Sequence, residues 1–134
     1  MDKEQLVQKA KETMKHAYAP YSRFPVGAAV LTDNGDVYTG VNVENASFGL
    51  TNCAERTALY KAYSEGERAI KAIAVIAETE EPISPCGACR QVMSELCRPE
   101  TTVLLANKHG QFIETTVKTL LPGAFSMEEW HGDE

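Results

Sequence analysis

Two short cysteine-containing segments dominate this sequence: Cys53-Ala54-Glu55-Arg56 and, farther along, Pro85-Cys86-Gly87-Ala88-Cys89. Cys86 and Cys89 are spaced so that both thiolates can bind one metal ion from the first turn of a helix. Cys53 can supply a third sulfur, whereas Glu55 is placed to reach past the metal without binding it. Three sulfurs with no obvious fourth protein ligand are typical of a catalytic zinc site, in which water takes the remaining position. The sequence therefore predicts one Zn²⁺ per chain, bound by Cys53, Cys86 and Cys89.

Charge at this predicted site requires compensation. Three thiolates around Zn²⁺ leave a net negative charge, which makes the metal a weaker acidifier of its bound water. Both cysteine segments are expected to begin helices, whose amino termini carry partial positive charge and stabilise thiolates. Arg56 is our candidate for the remaining compensation, through hydrogen bonds to the ligand sulfurs. An arginine exposed on the helix surface is the alternative interpretation.

The composition limits the class of protein. A chain of 134 residues is expected to form one domain, residues 1–134, around one core. The net charge is −6 and the sequence has no Lys/Arg cluster, which argues against a nucleic acid polymer as partner. No apolar run is long enough for a membrane span, and no secretory signal is visible. Four cysteines without an export signal indicate metal binding or catalysis, and we therefore expect a cytoplasmic protein.

Hydrophobic periodicity predicts an α/β fold. Helices are expected over residues 3–17, 54–64, 87–97 and 117–121, with Pro20 stopping the first, and strands over 26–32, 37–43, 70–77, 101–106 and 112–116. Asn34-Gly35 predicts a hairpin between the first two strands. The strand–helix–strand succession that follows predicts a crossover with parallel pairing. The expected architecture is a three-layer α/β/α arrangement with a mixed sheet of about five strands.

The motifs resemble those of a known family. Cys53-Ala54-Glu55 followed by Pro85-Cys86-x-x-Cys89 is similar to the signature of the zinc-dependent nucleobase and nucleoside deaminases in its three-cysteine form. Residues 18–22, 42–47 and 121–125 resemble the small homotetrameric cytidine deaminases, and the likeness covers nearly the whole chain. It implies a cytidine deaminase-like fold. It also implies hydrolysis of cytidine and 2′-deoxycytidine to uridine, 2′-deoxyuridine and ammonia, a step of pyrimidine salvage.

The resemblance also assigns substrate-binding residues. In this family the residues that match Asn42 and Glu44 hold the ribose hydroxyls, and the match of Phe24 packs on the base. Ala54 lies among the substrate-binding positions as well. The match of Phe125 closes the active site of a neighbouring subunit in a homotetramer. Without the resemblance, Asn42 and Glu44 could equally be ordinary loop residues, and Phe24 and Phe125 would be expected in the core.

Glu55 receives its role from the same resemblance. In the family the matching glutamate carries protons between the attacking water, N3 of the cytosine ring and the departing amine. A lone glutamate early in a helix is ordinarily a surface residue that interacts with the helix dipole. Two positions depart from the family pattern. Phe48 stands where tyrosine is frequent, and Val41 where cysteine is common.

Three other functions compete with this interpretation. A blasticidin-S-type deaminase would share the catalytic segments. A structural zinc module without activity would need a fourth protein ligand, and none is well placed. A dithiol redox protein would explain Cys86-x-x-Cys89, but it would leave Cys53 and Glu55 without a purpose. Cys97 is expected to be a small buried hydrophobic residue and not a ligand.

Overall fold

The computed structural model describes residues 1–123. Every predicted helix and strand is present, and a 3₁₀ turn at Phe48–Leu50 is added. The helices are α1 (Lys3–Met14), α2 (Ala54–Ser64), α3 (Gly87–Leu96) and α4 (Val117–Leu120), and the strands are β1 (Val26–Thr32), β2 (Val37–Val41), β3 (Ile70–Ala77), β4 (Thr102–Ala106) and β5 (Phe112–Thr116).

The strands form one mixed sheet in the order β2-β1-β3-β4-β5. The β3–β4 pair is parallel, and the other neighbours are antiparallel, which confirms both the predicted hairpin and the predicted crossover through α3. Val26 pairs with Ala77, and Gly27 pairs with Val41. The beginning of β1 and the ends of β2 and β3 therefore lie together. We call this side of the sheet the site edge, because α2 and α3 also begin there.

Helices cover both faces of the sheet, as expected for three layers. Leu6, Val7 and Ala10 of α1 pack on Leu31 and other residues of one face. Leu59 of α2 belongs to a second cluster on the opposite face, together with residues of α3 and α4. Each fully buried large aliphatic side chain stabilises the fold by about 1.5–3 kcal/mol. Two hydrophobic clusters therefore cover the two faces of the sheet, where a single core was expected.

Close packing between α2 and β2 depends on Gly40. A Cβ atom at this position would lie 2.5 Å from the backbone nitrogen of Ala58 and 2.8 Å from the carbonyl oxygen of Ala54. Such distances are far below van der Waals contact, so any side chain at residue 40 would force α2 away from the sheet. Gly40 therefore fixes the depth of the first turns of α2.

The first helix is shorter than predicted. It begins with a capping box between Asp2 and Gln5, but it ends at Met14, well before Pro20. Backbone pairing explains the early end: the Tyr18 N–H donates to the Asn42 carbonyl at 3.0 Å, and the Glu44 N–H donates to the Tyr18 carbonyl at 2.8 Å. Long-range bonds thus replace the helical pattern. Similarly, β2 ends at Val41, not at residue 43.

None of the helices within residues 1–123 is long and apolar enough to span a bilayer.

Candidate metal centre

The first turns of two helices bring the three predicted cysteine ligands together. Cys53 is the N-cap of α2, Cys86 is the N-cap of α3, and Cys89 lies in the first turn of α3. Both N-caps have extended backbone conformations, with φ −80° and ψ 157° at Cys53 and φ −69° and ψ 166° at Cys86. The three Sγ atoms lie within 4.8 Å of one another, and those of Cys86 and Cys89 are 3.4 Å apart.

This cluster fits a zinc ion. Zn–S bonds of about 2.3 Å in a tetrahedron place the ligand sulfurs about 3.8 Å apart, which matches the observed spacing. Within residues 1–123 no other His, Cys, Asp or Glu joins the cluster. Cys89 is buried whereas Cys86 is exposed, so the cluster is reached from one side. Three protein donors and one accessible side are the arrangement of a catalytic metal site.

Cys53 and Cys89 differ in the pKa of their thiol groups. The neighbouring Cys89 thiol and the Arg56 guanidinium lower the pKa of Cys53 to about 5. The neighbouring Cys53 sulfur, together with burial, raises the pKa of Cys89. The lowered pKa favours the thiolate form of Cys53. A thiolate is the form of cysteine that binds metals.

Arg56 faces the thiols. Its Nη2 donates to the Cys53 sulfur at 3.2 Å, and this hydrogen bond raises the pKa of the guanidinium. Its Nε is buried without an acceptor among the described residues. The cation is therefore directed at the cysteine cluster through Nη2.

Glu55 is buried beside the same cluster. It is 4% exposed, although it lies in the first turn of α2, where a glutamate is ordinarily on the surface. Burial raises the pKa of its carboxyl group. It is not one of the clustered metal donors. A carboxyl group with a raised pKa, held off the metal, is suited to exchanging protons near neutral pH.

Asn42 and Glu44 hold the backbone of residues 21–26 at the site edge. The Asn42 amide donates to the Phe24 carbonyl and accepts from the Val26 N–H, both at 2.9 Å. The Glu44 carboxylate accepts from the N–H groups of residues 21 and 22 at 3.0 Å and from the Ser22 hydroxyl. The Ser22 hydroxyl contributes most to the lowered pKa of Glu44. Both side chains thus shape the loop that carries Phe24.

The other predicted substrate residues differ in accessibility. Phe24 is 39% exposed, so its ring is available at the surface. Ala54 is fully buried and begins α2, where backbone N–H groups have no acceptor inside the helix. The backbone N–H of Ala54 is therefore the group that can donate a hydrogen bond to a substrate. Phe125 lies outside the described residues.

Ser22 and Arg90 are two residues of the site edge whose roles no sequence pattern predicted. Ser22 precedes the loop residue Phe24 and donates to Glu44 across twenty-two positions, which no local pattern indicates. Arg90 follows Cys89 directly and donates to two acceptors in the turn before Cys86 and to the Leu120 carbonyl at the end of α4. A basic residue close to the amino terminus of a helix is electrostatically unfavourable, and this was the available signal.

Comparisons with known proteins agree with this geometry. The family model described as "Cytidine and deoxycytidylate deaminase zinc-binding region" matches residues 1–106. A cytidine deaminase of Halalkalibacterium halodurans is 59% identical over 96% of this chain and 98% of its own length. A crystal structure of cytidine deaminase from Burkholderia pseudomallei has a TM-score of 0.91 and 54% identity, covering 93% of this chain and all of that one. The cytidine deaminase of Mycobacterium tuberculosis has a TM-score of 0.81 at 40% identity, covering 94% and 98%.

Proposed function

This chain belongs to the cytidine and deoxycytidylate deaminase family, and we propose that it hydrolyses cytidine and 2′-deoxycytidine to uridine and 2′-deoxyuridine with release of ammonia. The observation that carries the proposal is the cluster of three cysteine sulfurs within 4.8 Å, with the buried carboxyl group of Glu55 beside it. Relatives at 59% and 55% identity are named cytidine deaminase. A blasticidin-S-type deaminase or a non-catalytic zinc module is not favoured by these comparisons.

Cys53, Cys86 and Cys89 would hold one Zn²⁺. When bound, the metal supplies an acidified water molecule as the nucleophile. The cysteines lie at helix amino termini, whose partial positive charge stabilises their thiolates. Arg56 donates to Cys53 and places a full positive charge next to the sulfurs, so that the net charge of three thiolates is partly offset.

Glu55 is the proposed proton carrier. Burial raises the pKa of its carboxyl group, which brings proton uptake closer to neutral pH. In the proposed reaction it takes a proton from the attacking water and delivers it to N3 of the cytosine ring, which makes C4 more electrophilic. It later takes the proton of the new C4 hydroxyl group and passes it to the departing amine, which leaves as ammonia. A carboxyl group in this position serves both steps because it stays free of the metal.

Substrate recognition uses the loop of the site edge. Phe24 would pack on the base, and the Ala54 N–H at the start of α2 would donate to the base. Asn42 and Glu44 would bind the ribose hydroxyls, since each retains hydrogen-bonding capacity beyond its contacts with residues 21–26. With a net charge of −6, the protein favours an uncharged nucleoside over a phosphorylated substrate or a nucleic acid polymer.

We further propose a homotetramer with shared active sites. Support comes from exposed apolar side chains near the site edge: Phe48 is 76% exposed, Leu50 is 71% exposed, and the Tyr21 ring meets Phe48 edge to face at 6.4 Å. An exposed apolar surface of this kind is typical of protein interfaces. A neighbouring subunit would cover it and would contribute Phe125 to close the site.

The cytoplasm is the proposed location and pyrimidine salvage the proposed role. None of the four cysteines forms a disulfide in this structure, as suits a reducing compartment. No membrane partner is proposed.

An absorbance assay tests the activity. Purified protein with measured zinc content is incubated in parallel with cytidine, 2′-deoxycytidine, cytosine, CMP and blasticidin S. We expect deamination of the two nucleosides, loss of activity on removal of zinc, and recovery when zinc is restored. Zinc-loaded protein that leaves both nucleosides unchanged would refute the proposal, and turnover of blasticidin S alone would establish the other deaminase instead.

A further inference from the structure

Arg90 joins two parts of the molecule that lie thirty residues apart in sequence. It follows Cys89 in α3, and its guanidinium reaches back toward the start of that helix. Nε donates to the Pro85 carbonyl at 2.9 Å, and Nη2 donates to the Ser84 hydroxyl at 2.6 Å. Nη1 donates to the Leu120 carbonyl at 2.9 Å, at the carboxyl end of α4. One side chain therefore contacts the residues before Cys86 and the end of another helix.

This position is electrostatically unfavourable for an arginine. A helix amino terminus carries partial positive charge, and a cation near it costs free energy unless other contacts offset the repulsion. The three carbonyl and hydroxyl acceptors of Arg90 provide that compensation. They use the fork of the guanidinium in a way that a lysine ammonium cannot reproduce. Arginine at this position is therefore explained by its three contacts and not by the stability of α3.

The turn before Cys86 depends on this contact. Residues 79 and 80 are tied to the β4–β5 turn, because the Lys108 N–H donates to the Thr79 carbonyl at 2.9 Å and the Asn107 amide donates to the Glu80 carbonyl at 2.7 Å. Closer to the metal centre, the hydrogen bonds that reach Ser84 and the Pro85 carbonyl within residues 1–123 all come from Arg90. Residue 83 is also held, because its N–H donates to the Ala106 carbonyl at 3.5 Å. Between that residue and Cys86, the side chain of Arg90 supplies the hydrogen bonds that hold the turn.

The contact of Arg90 with Leu120 holds the carboxyl end of α4. The last carbonyl groups of a helix accept no hydrogen bond from within that helix. Arg90 donates to one of them, the Leu120 carbonyl. Leu121 follows directly as the C-cap of α4, so Arg90 fixes the point from which the chain leaves this helix. The segment beyond includes Phe125, whose role in closing a neighbouring site belongs to the proposed function.

We propose that Arg90 is a positioning residue that couples the metal-ligand turn of Cys86 to the carboxyl end of α4. It determines how firmly the Cys86 side of the centre holds zinc and from where the C-terminal segment departs. The second part rests on the proposed function, whereas the first part does not. A zinc-binding read-out therefore tests the coupling even if the chain proves inactive on cytidine.

The experiment compares Arg90→Ala with Arg98→Ala. Arg98 is a matched control, because its guanidinium also makes three contacts, to both Asp33 oxygens and the Ile70 carbonyl, but it lies just beyond the other end of α3. We measure zinc release to a colorimetric chelator, and the absorption bands of the Co²⁺-substituted proteins, which report ligand geometry. Partners of metal ligands typically contribute about 10- to 100-fold in metal affinity, so Arg90→Ala should release zinc at least about tenfold faster and alter the cobalt bands.

Chemical rescue separates a positioning role from a general loss of stability. Guanidinium chloride at non-denaturing concentration should slow zinc release from Arg90→Ala, whereas methylammonium chloride should not. Arg98→Ala should melt at a lower temperature but release zinc at the parental rate. Parental zinc release by Arg90→Ala, or equal acceleration in both variants, would overturn the proposal.

Ser84→Ala provides a second variant should Arg90→Ala fail to fold. It removes the Nη2 acceptor but leaves the Leu120 contact intact. Faster zinc release with an unchanged KM for cytidine is expected from Ser84→Ala, whereas Arg90→Lys should both accelerate zinc release and raise KM. Parental zinc release by both variants would contradict the coupling, and an unchanged KM in Arg90→Lys would contradict its α4 part.

Discussion

Glu55 shows how one residue changes character through its surroundings. In sequence it is an acidic residue in the first turn of a helix, where it would favour the surface. In the structure it is 4% exposed, and burial raises the pKa of its carboxyl group. Burial of an acidic side chain costs stability, so its presence in such a place indicates a function. The proposed proton transfers provide that function.

Glu55→Gln removes the carboxyl group but keeps the shape of the side chain. We expect an unchanged fold and zinc content, and a fall in kcat by at least the ~10²-fold typical of a general acid–base group. Steady-state kinetics with elemental analysis makes the measurement. Glu65→Gln at the end of the same helix is the control and should behave like the parent. A tenfold fall in kcat corresponds to only ~1.4 kcal/mol of activation free energy. A kcat within about tenfold of the parent would therefore contradict the assigned role.

Helix α2 carries Cys53, Glu55 and Arg56 on its first turn, so its position on the sheet controls the site. That position is fixed where Gly40 of β2 allows the helix backbone to approach directly. The site therefore depends on a residue that has no side chain and lies on a strand.

Gly40→Ala should displace the start of α2. The added methyl group would overlap backbone atoms of residues 54 and 58, and overpacking of this kind costs about 1–3 kcal/mol. We expect a lower Tm, weaker zinc retention and a reduced kcat. Gly66→Ala is the matched control, because Gly66 has φ +89° with open space around it, so its substitution strains the backbone at the far end of α2. Gly66→Ala should lower Tm but leave zinc retention and kcat unchanged. Similar zinc loss in both variants would show that Gly40 has no specific effect on the site.

The connection between β1 and β2 is tied to the end of α3. Asp33 accepts two hydrogen bonds from Arg98 at 2.9 Å, and this contact holds the pKa of Asp33 below its usual 3.8. A carboxyl group with a lowered pKa stabilises the folded state above its unfolded pKa. That contribution is lost as the pH falls through the folded pKa.

Asp33→Asn should therefore reduce Tm at pH 7, and the difference from the parent should shrink as the pH falls below about 4. High salt should also reduce the difference, because the pair is partly exposed. Thermal unfolding across this pH range makes the measurement. Asp36→Asn lies on the same connection, and Asp36 has no ion pair among the described residues. An equal pH dependence in both variants would assign the effect to net charge and not to the Arg98 contact.

At the scale of the whole molecule, the metal centre lies at the surface of a single chain. Cys86 is exposed, and exposed aromatic side chains surround the site edge. Small-molecule sites usually bury most of their ligand, so one chain by itself offers an incomplete enclosure. Neighbouring subunits would complete it in the proposed homotetramer.

Subunit mixing tests the shared site. Chains with Glu55→Gln are expected to have almost no activity, and chains with Phe125→Ala are expected to be weakly active. After exchange, an intact Glu55 site can receive an intact Phe125 from the other parent, so activity should rise above the sum of the two preparations. Mixing Phe125→Ala with the double variant Glu55→Gln/Phe125→Ala supplies no intact Phe125 and should give no rise. No rise in the first mixture, with mixed oligomers verified by mass spectrometry, would place Phe125 in its own subunit.

Local sequence patterns predicted the helices and strands and the three candidate metal ligands. Strand and helix periodicity, the Asn34-Gly35 turn and the spacing of Cys86 and Cys89 are local properties, in which residues interact with near neighbours along the chain. They predicted β1, β3 and β5 with the observed bounds, and they placed Cys53 and Cys86 at helix starts.

Features that depend on contacts between distant residues could not be predicted from the sequence. The early end of α1 follows from pairing of residue 18 with residues 42–44, and the loop around Phe24 is held by the side chains of Asn42 and Glu44. The contact of Arg90 with Leu120 spans thirty positions. Such contacts form only after the sheet has brought its strands into order. No local pattern of residues encodes them, because their energy depends on backbone positions that distant parts of the chain determine together.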